Sequence, residues 1–295
     1  MSGVFDRSGA ACLAAAMFII LAVAAPGQED AAAGSVNELY NKGVELYQAG
    51  DYAAAFEYLL KAAEGGGIEA QTYVGYMYEK GEGTAADTAK AIEWYRRAAE
   101  GGYTLAQTNL AWMYENGVGV AQNYSEAARW YRKAADGGDA RAQNNLGYFY
   151  QEGMGVERDL VEARRLYELA IGQHYTTANV NLGLIYLNGL GVETDNDKAL
   201  YWFQVAATMG DNWGMYNLAY MHYNGLGTEK NLELARRWYE GAAEAGVPQA
   251  LYMLGWLYSH SEGVEQDLDK AAEYYRKSLE AGYQPAEDEL RRIGR

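Results

Sequence analysis

Three histidines, one cysteine and a surplus of carboxylates are the residues of this 295-residue chain that could do chemistry. His174, His222 and His260 share no common spacing and have no cysteine beside them, so no metal-ligand pattern is present. Gly81-Glu82-Gly83 is a G-x-G turn that lacks the third glycine and the preceding strand of a dinucleotide site. Asp195-Asn196-Asp197 begins like a calcium loop and lacks its glycine and distal glutamate. No spacing singles out a carboxylate pair for glycoside hydrolysis. The expectation is therefore no enzyme, no cofactor and no metal.

What the spacing does single out is a ladder of amides and aromatic rings. Asn109, Asn145, Asn181 and Asn217 recur at one interval, as do Tyr76, Trp112, Tyr148, Leu184, Tyr220 and Trp256. Asparagine amides can donate to and accept from any peptide backbone, while tyrosine and tryptophan supply rigid anchor area. The same asparagines could instead bond the neighbouring unit of the fold. Trp213, Tyr216, Tyr220, Tyr223, Tyr252 and Trp256 crowd one stretch, and stacked rings also suit sugars.

The interval is 36 residues, and it runs through most of the chain. Ala70, Ala106, Ala142, Ala178, Gly214, Ala250 and Ala286 form one ladder, and Val74, Leu110, Leu146, Leu182, Leu218 and Leu254 another. Such a period means stacked supersecondary units. In the unit Thr104 to Asp139, Ala106, Leu110, Met113 and Tyr114 share one face of a helix that should stop at Asn116-Gly117. Asn123 is placed to cap a second helix from about Tyr124 to Asp136, which Gly137-Gly138 ends. Neither helix can bury its apolar face alone, so the pairs must stack.

The pattern carried by Ala106, Leu110, Tyr114, Gly117, Gly119, Val120, Asn123, Ala127, Trp130, Tyr131, Ala134, Ala135 and Gly138 resembles the Sel-one-like repeat (SLR), a relative of the tetratricopeptide repeat. The resemblance implies an all-α, right-handed superhelical solenoid of antiparallel helix pairs. It also implies a concave groove lined by the first helix of each pair, with Asn109, Asn145, Asn181, Asn217, Trp112, Tyr148, Trp213, Tyr216, Tyr220, Tyr252 and Trp256 on its ligand-binding face. The expected division is a signal peptide over 1–24, a flexible leader over 25–35, a tetratricopeptide-like capping repeat over 36–67, six SLR copies over 68–283 and a capping helix over 284–295.

Two copies break the pattern. Leu166 replaces the tryptophan and Gly172-Gln173-His174 the usual ending, so that helix is expected to cap differently. Ser261 replaces the first loop glycine, leaving Gly263 to make that turn.

A formal charge of -16 argues against a nucleic-acid partner. The basic pairs Arg96-Arg97, Arg132-Lys133 and Arg276-Lys277 lie near helix ends, where they complement the dipole and solvate an outer face. Arg7, the apolar run Ala10 to Ala25 and Ala22-Val23-Ala24 read as a cleaved export signal, shorter than the ~20 residues that span a bilayer. A membrane contact is expected only through an uncleaved signal. Cys12 lies inside that run, so the mature chain would have no disulfide. The functional expectation is an exported (periplasmic or secreted) scaffold for another protein or an extended peptide, possible roles being envelope regulation or assembly; a glycan-binding or glycan-cleaving envelope protein is the alternative.

Overall fold

The computed structural model describes residues 31–295; the expected signal and the first residues of the expected leader lie outside them. Fifteen helices are described and no strand. They are α1 (Ala31–Gln48), α2 (Tyr52–Glu64), α3 (Ile68–Lys80), α4 (Thr88–Glu100), α5 (Thr104–Asn116), α6 (Tyr124–Asp136), α7 (Ala140–Glu152) and α8 (Leu160–Gly172). After them come α9 (Thr176–Asn188), α10 (Asn196–Thr208), α11 (Asn212–Asn224), α12 (Leu232–Glu244), α13 (Pro248–His260), α14 (Leu268–Glu280) and α15 (Pro285–Arg292). Each helix packs on the one before it and the one after it, which makes the array a solenoid of helix pairs. Helices α3/α4 to α13/α14 are numbered below as repeats 1 to 6. The leader expectation is corrected over its last five residues: α1 already starts at Ala31, where Ala31-Ala32-Ala33 favour a helix.

Local signals set the ends. The side chains of Asp87, Asn123, Asp159, Asp195, Asn231 and Asp267 each accept the backbone N–H three residues on, capping α4, α6, α8, α10, α12 and α14. Gly117 closes α5 in the left-handed conformation, its N–H donating to the Met113 carbonyl. The second loop glycine has a different reason. A Cβ on Gly83 would stand 2.0 Å from the Tyr52 carbonyl oxygen, so the loop of one unit lies on the start of the previous unit's second helix.

Of the two irregular copies, α8 caps differently, as expected: the Gln173 N–H reaches the Ala170 carbonyl three residues back, where the Gly137 N–H reaches Lys133 four back. The Ser261 turn keeps the common geometry, against expectation. His174 takes φ 61°, in place of glycine, and Tyr175 N–H still donates to the Ala170 carbonyl. Ser261 takes φ 58° and donates its Oγ to the Val264 carbonyl. Stacking on both sides holds these residues in a conformation they would otherwise avoid.

The core is a repeated seam. Tyr95, Tyr131, Tyr167, Phe203, Tyr239 and Tyr275, one per second helix, are fully buried. Trp130 is 4% exposed, with Lys133 Nζ at 4.2 Å and the Arg129 guanidinium at 4.9 Å from its ring centroid. Basic residues of the outer helices thus lie over rings of their own helix, as here and at Arg97 over Trp94, or over rings of the inner helices, as with Arg132 over Tyr150. Among the described residues, no helix is long and apolar enough to cross a membrane.

Candidate binding groove

The odd-numbered helices line the inner side, where α7 meets α9 and α9 meets α11 directly. Every residue of the expected binding face lies on these helices, at two kinds of position. The asparagines occupy the seam between successive inner helices; the rings of Trp112, Tyr148, Tyr220 and Trp256 stand on the crest.

The seam position decides what the amides do. Asn109 accepts from Arg141 Nη2 of the next repeat at 2.9 Å. Asn145 accepts from Asn144 at 3.2 Å and meets the Tyr131 hydroxyl. Asn181 is 4% exposed and donates to Asn144 Oδ1 at 2.7 Å. Asn217 has no exposed surface; its Nδ2 donates to the Trp213 carbonyl at 2.8 Å. Asn181 and Asn217 are therefore removed from the expected set, because burial between inner helices leaves their amides no face toward a ligand.

The crest is more open. Tyr220 is 37% exposed, and Trp112, Tyr148 and Trp256 are half-buried. Trp256 is covered from within: the His260 ring stacks on it at 3.7 Å and the Arg292 guanidinium of α15 lies 5.5 Å from its centroid. Arg292 donates to His260 Nε2 at 2.6 Å, which leaves the ring proton on Nδ1, 3.1 Å from the Trp256 carbonyl. Nearby, Trp213 and Tyr216 meet edge to face at 5.8 Å, and Tyr252 and Tyr283 at 5.3 Å. Burial pushes the Tyr252 phenol up to about 12, and burial with the Glu262 carboxylate does the same for Tyr223. These phenols stay neutral at physiological pH and offer donors and ring faces, not charge.

Other features escaped the sequence reading. Gln71, Gln107 and Gln143 donate to the carbonyls of Ala63, Ala99 and Ala135, stapling α3, α5 and α7 to the outer helix before each. Their interval of 36 was the available signal. A second aromatic cluster opens the array: Tyr73 meets both Tyr40 and Tyr47 at 5.8 Å, and the Tyr47 hydroxyl donates to Glu82 at 2.7 Å. It was missed because α1 was read only as a cap. No group of three or more His, Cys, Asp or Glu that could hold a metal occurs among the described residues.

Helix pairs with a left-handed residue after the first helix, an Asx cap on the second and a large buried side chain within it recur along the array, with Ser261 in place of the glycine in repeat 6 and Phe203 in place of the tyrosine in repeat 4. The family model described as Sel1 repeat matches residues 31–67, 68–103, 104–139, 140–175, 176–211, 214–247 and 248–283. The chain belongs to the Sel1 repeat family. The Sel1 pattern takes in the leading pair, which by sequence looks like a plain tetratricopeptide repeat with a shorter loop. The Sel1 repeat protein from Oxalobacter formigenes is 32% identical, with a TM-score of 0.78 over 81% of this chain and 96% of that one. The chain is also similar to c5321, a protective antigen present in uropathogenic Escherichia coli strains displaying an SLR fold. That match is 35% identical, with a TM-score of 0.73 over 86% of this chain and 55% of c5321. The chain thus spans about half the length of c5321. No curated protein matches it. The protein is a Sel1 repeat scaffold.

Proposed function

We propose that this chain is an exported scaffold whose inner groove binds an extended segment of another protein. The observation that carries the reading is the inner surface of α9, α11 and α13. It contains no Asp, Glu, Lys or Arg and presents Tyr220 with Trp213, Tyr216, Tyr252 and Trp256 around it. Neutral, half-buried rings on a preformed backbone gain apolar contact at low entropic cost, which is what interface anchors do. The Sel1 repeat architecture supports a protein partner, since stacked units make a long continuous surface. The apolar run before Ala25 supports export, as does the antigen described for c5321. Envelope assembly or regulation is the setting proposed for it.

Panning a random peptide library on the chain that starts at Ala25 tests this. Selected peptides should lose at least tenfold affinity, about 1.4 kcal/mol, to Tyr220→Ala. Trp256→Ala should cost less, because His260 and Arg292 already cover that ring. Replacing Arg132 and Lys133 on the outer helix should change nothing. Retention on cell-wall glycan with no peptide selected would give the groove to sugar rings instead.

A further inference from the structure

The inner helices divide sharply by charge. Helices α3, α5 and α7 carry Glu69, Glu79, Lys80, Glu115, Arg141 and Glu152, whereas α9, α11 and α13 carry no Asp, Glu, Lys or Arg. At the first end two carboxylates are held in place by phenols: Glu79 accepts from Tyr95 at 3.0 Å and Glu82 from Tyr47 at 2.7 Å. Burial raises the phenol of the Tyr76 ring, which lies close enough to feel both carboxylates and is raised further by them. Lys80 Nζ lies 5.6 Å from the centroid of that ring and 2.6 Å from Glu79, with its side chain 43% exposed. Glu82 forms no ion pair among the described residues. One ammonium of the chain itself thus lies beside a ring and two carboxylates; it is bonded directly to Glu79 and acts on Glu82 only at longer range. Arg141 cannot supply the missing charge, since it is turned to Asn109.

We infer that the occupant of the groove is a two-part extended peptide, with arginine or lysine side chains over repeat 1 and apolar side chains over repeats 5 and 6. The inference rests on the groove reading above and adds the partner's chemistry to it. A cation on the Tyr76 face gains from the ring and from the second carboxylate together. Lys80 is flexible and half in water, so it can swing aside at little cost. Successive inner helices at ~8–10 Å put α3 and α11 roughly 35 Å apart, which an extended chain covers in roughly ten residues.

Fluorescence anisotropy with labelled peptides tests it. The probe carries two arginines, a Gly-Ser spacer of roughly ten residues and two leucines, made in both chain directions; its companions carry two glutamines or two glutamates instead of the arginines. In at least one direction the arginine probe should bind at least tenfold tighter than either companion, and less tightly as salt rises. Glu79→Gln with Glu82→Gln should remove that advantage and leave the glutamine probe unchanged. Lys80→Ala should tighten the arginine probe. Equal binding of arginine and glutamine probes, both lost in Tyr220→Ala, would overturn this inference and keep the groove reading. Loss of the arginine preference through Glu93→Gln and Glu126→Gln on the outer helices would also overturn it, since attraction would then be unspecific. Binding of no probe would overturn both.

Discussion

Repeats 1 to 3 and repeats 4 to 6 share one backbone and hold it together with different chemistry. In the first half, glutamines staple each inner helix to the outer helix before it; in the second, Asn179, Met215 and Leu251 stand in those places. In the first half, the buried tyrosine of each second helix donates to an acid or amide: Tyr95 to Glu79, Tyr131 to Glu115 at 2.6 Å, Tyr167 to Gln151 at 3.1 Å. In the second half, Phe203 stands beside Leu187's place in the ladder, Tyr275 meets Ser259 at 3.0 Å, and the hydroxyl of Tyr239 meets no hydrogen-bond partner among the described residues. Asn217 Oδ1 is unpaired as well. Asn145 meets a tyrosine hydroxyl at the corresponding position, whereas one 36-residue step from Tyr167 brings Phe203 opposite Asn217. The lesson is that the repeat period conserves shape while single positions change what the shape is made of. The second half gives up polar staples for rings and apolar contact, and its inner surface is the one left uncharged.

The largest expected effect breaks the comparison at the core. Trp130→Ala should cost about 3 to 5 kcal/mol, and in a quasi-linear array the loss should be felt by repeats 1 to 3. Amide hydrogen exchange checks it; equal weakening of α11 to α14 would mean the halves are one cooperative unit. A sharper contrast comes from removing one oxygen in each half. Tyr131→Phe breaks the bond to Glu115 and should cost about 1.5 kcal/mol or more, whereas Tyr239→Phe removes an unpaired buried hydroxyl and should be neutral or stabilising by up to about 1 kcal/mol. Denaturant midpoints decide, and equal losses would mean that Tyr239 has a partner after all.

The smallest effect concerns two helix starts. The Lys90 backbone N–H lowers the Asp87 carboxyl, so its stabilisation is present above the ordinary carboxylate pKa and is lost as pH falls through the lowered value. Burial raises the Asp211 carboxyl despite its bond from Gly214 N–H at 2.9 Å. Its ionisation therefore weakens the fold above the raised pKa, and that cost vanishes in acid. Asp211→Asn keeps an acceptor for Gly214 and should stabilise by about 0.5 kcal/mol or less at pH 7, with no gain at pH 3. Asp87→Asn should shift stability in the opposite direction at pH 7. Thermal unfolding at both pH values checks the signs.

Much of this was legible without coordinates. The 36-residue ladders, the glycine after α5 and the Asx before α6 give helix ends that agree with the structure, because helix termini are decided by a few adjacent residues. The candidate site was legible only as a set of residues on one helix face. Tyr220 and Asn217 lie three positions apart on α11, and the first is 37% exposed while the second is fully buried. Spacing along a helix cannot separate them, since the seam between α9 and α11 is created by stacking.

The residues alone thus determined the period, the helix pairs, the solenoid and the strip from which a binding surface is drawn, all of them consequences of local propensity and of apolar faces that need covering. Tertiary structure decided which members of that strip face outward, which hydroxyls and amides find partners, and that His174 and Ser261 accept the left-handed backbone of the glycines they replace. Those outcomes depend on contacts between units 30 to 37 residues apart, such as Gln173 with Gln143 and Asn181 with Asn144, and no neighbour in sequence carries that information.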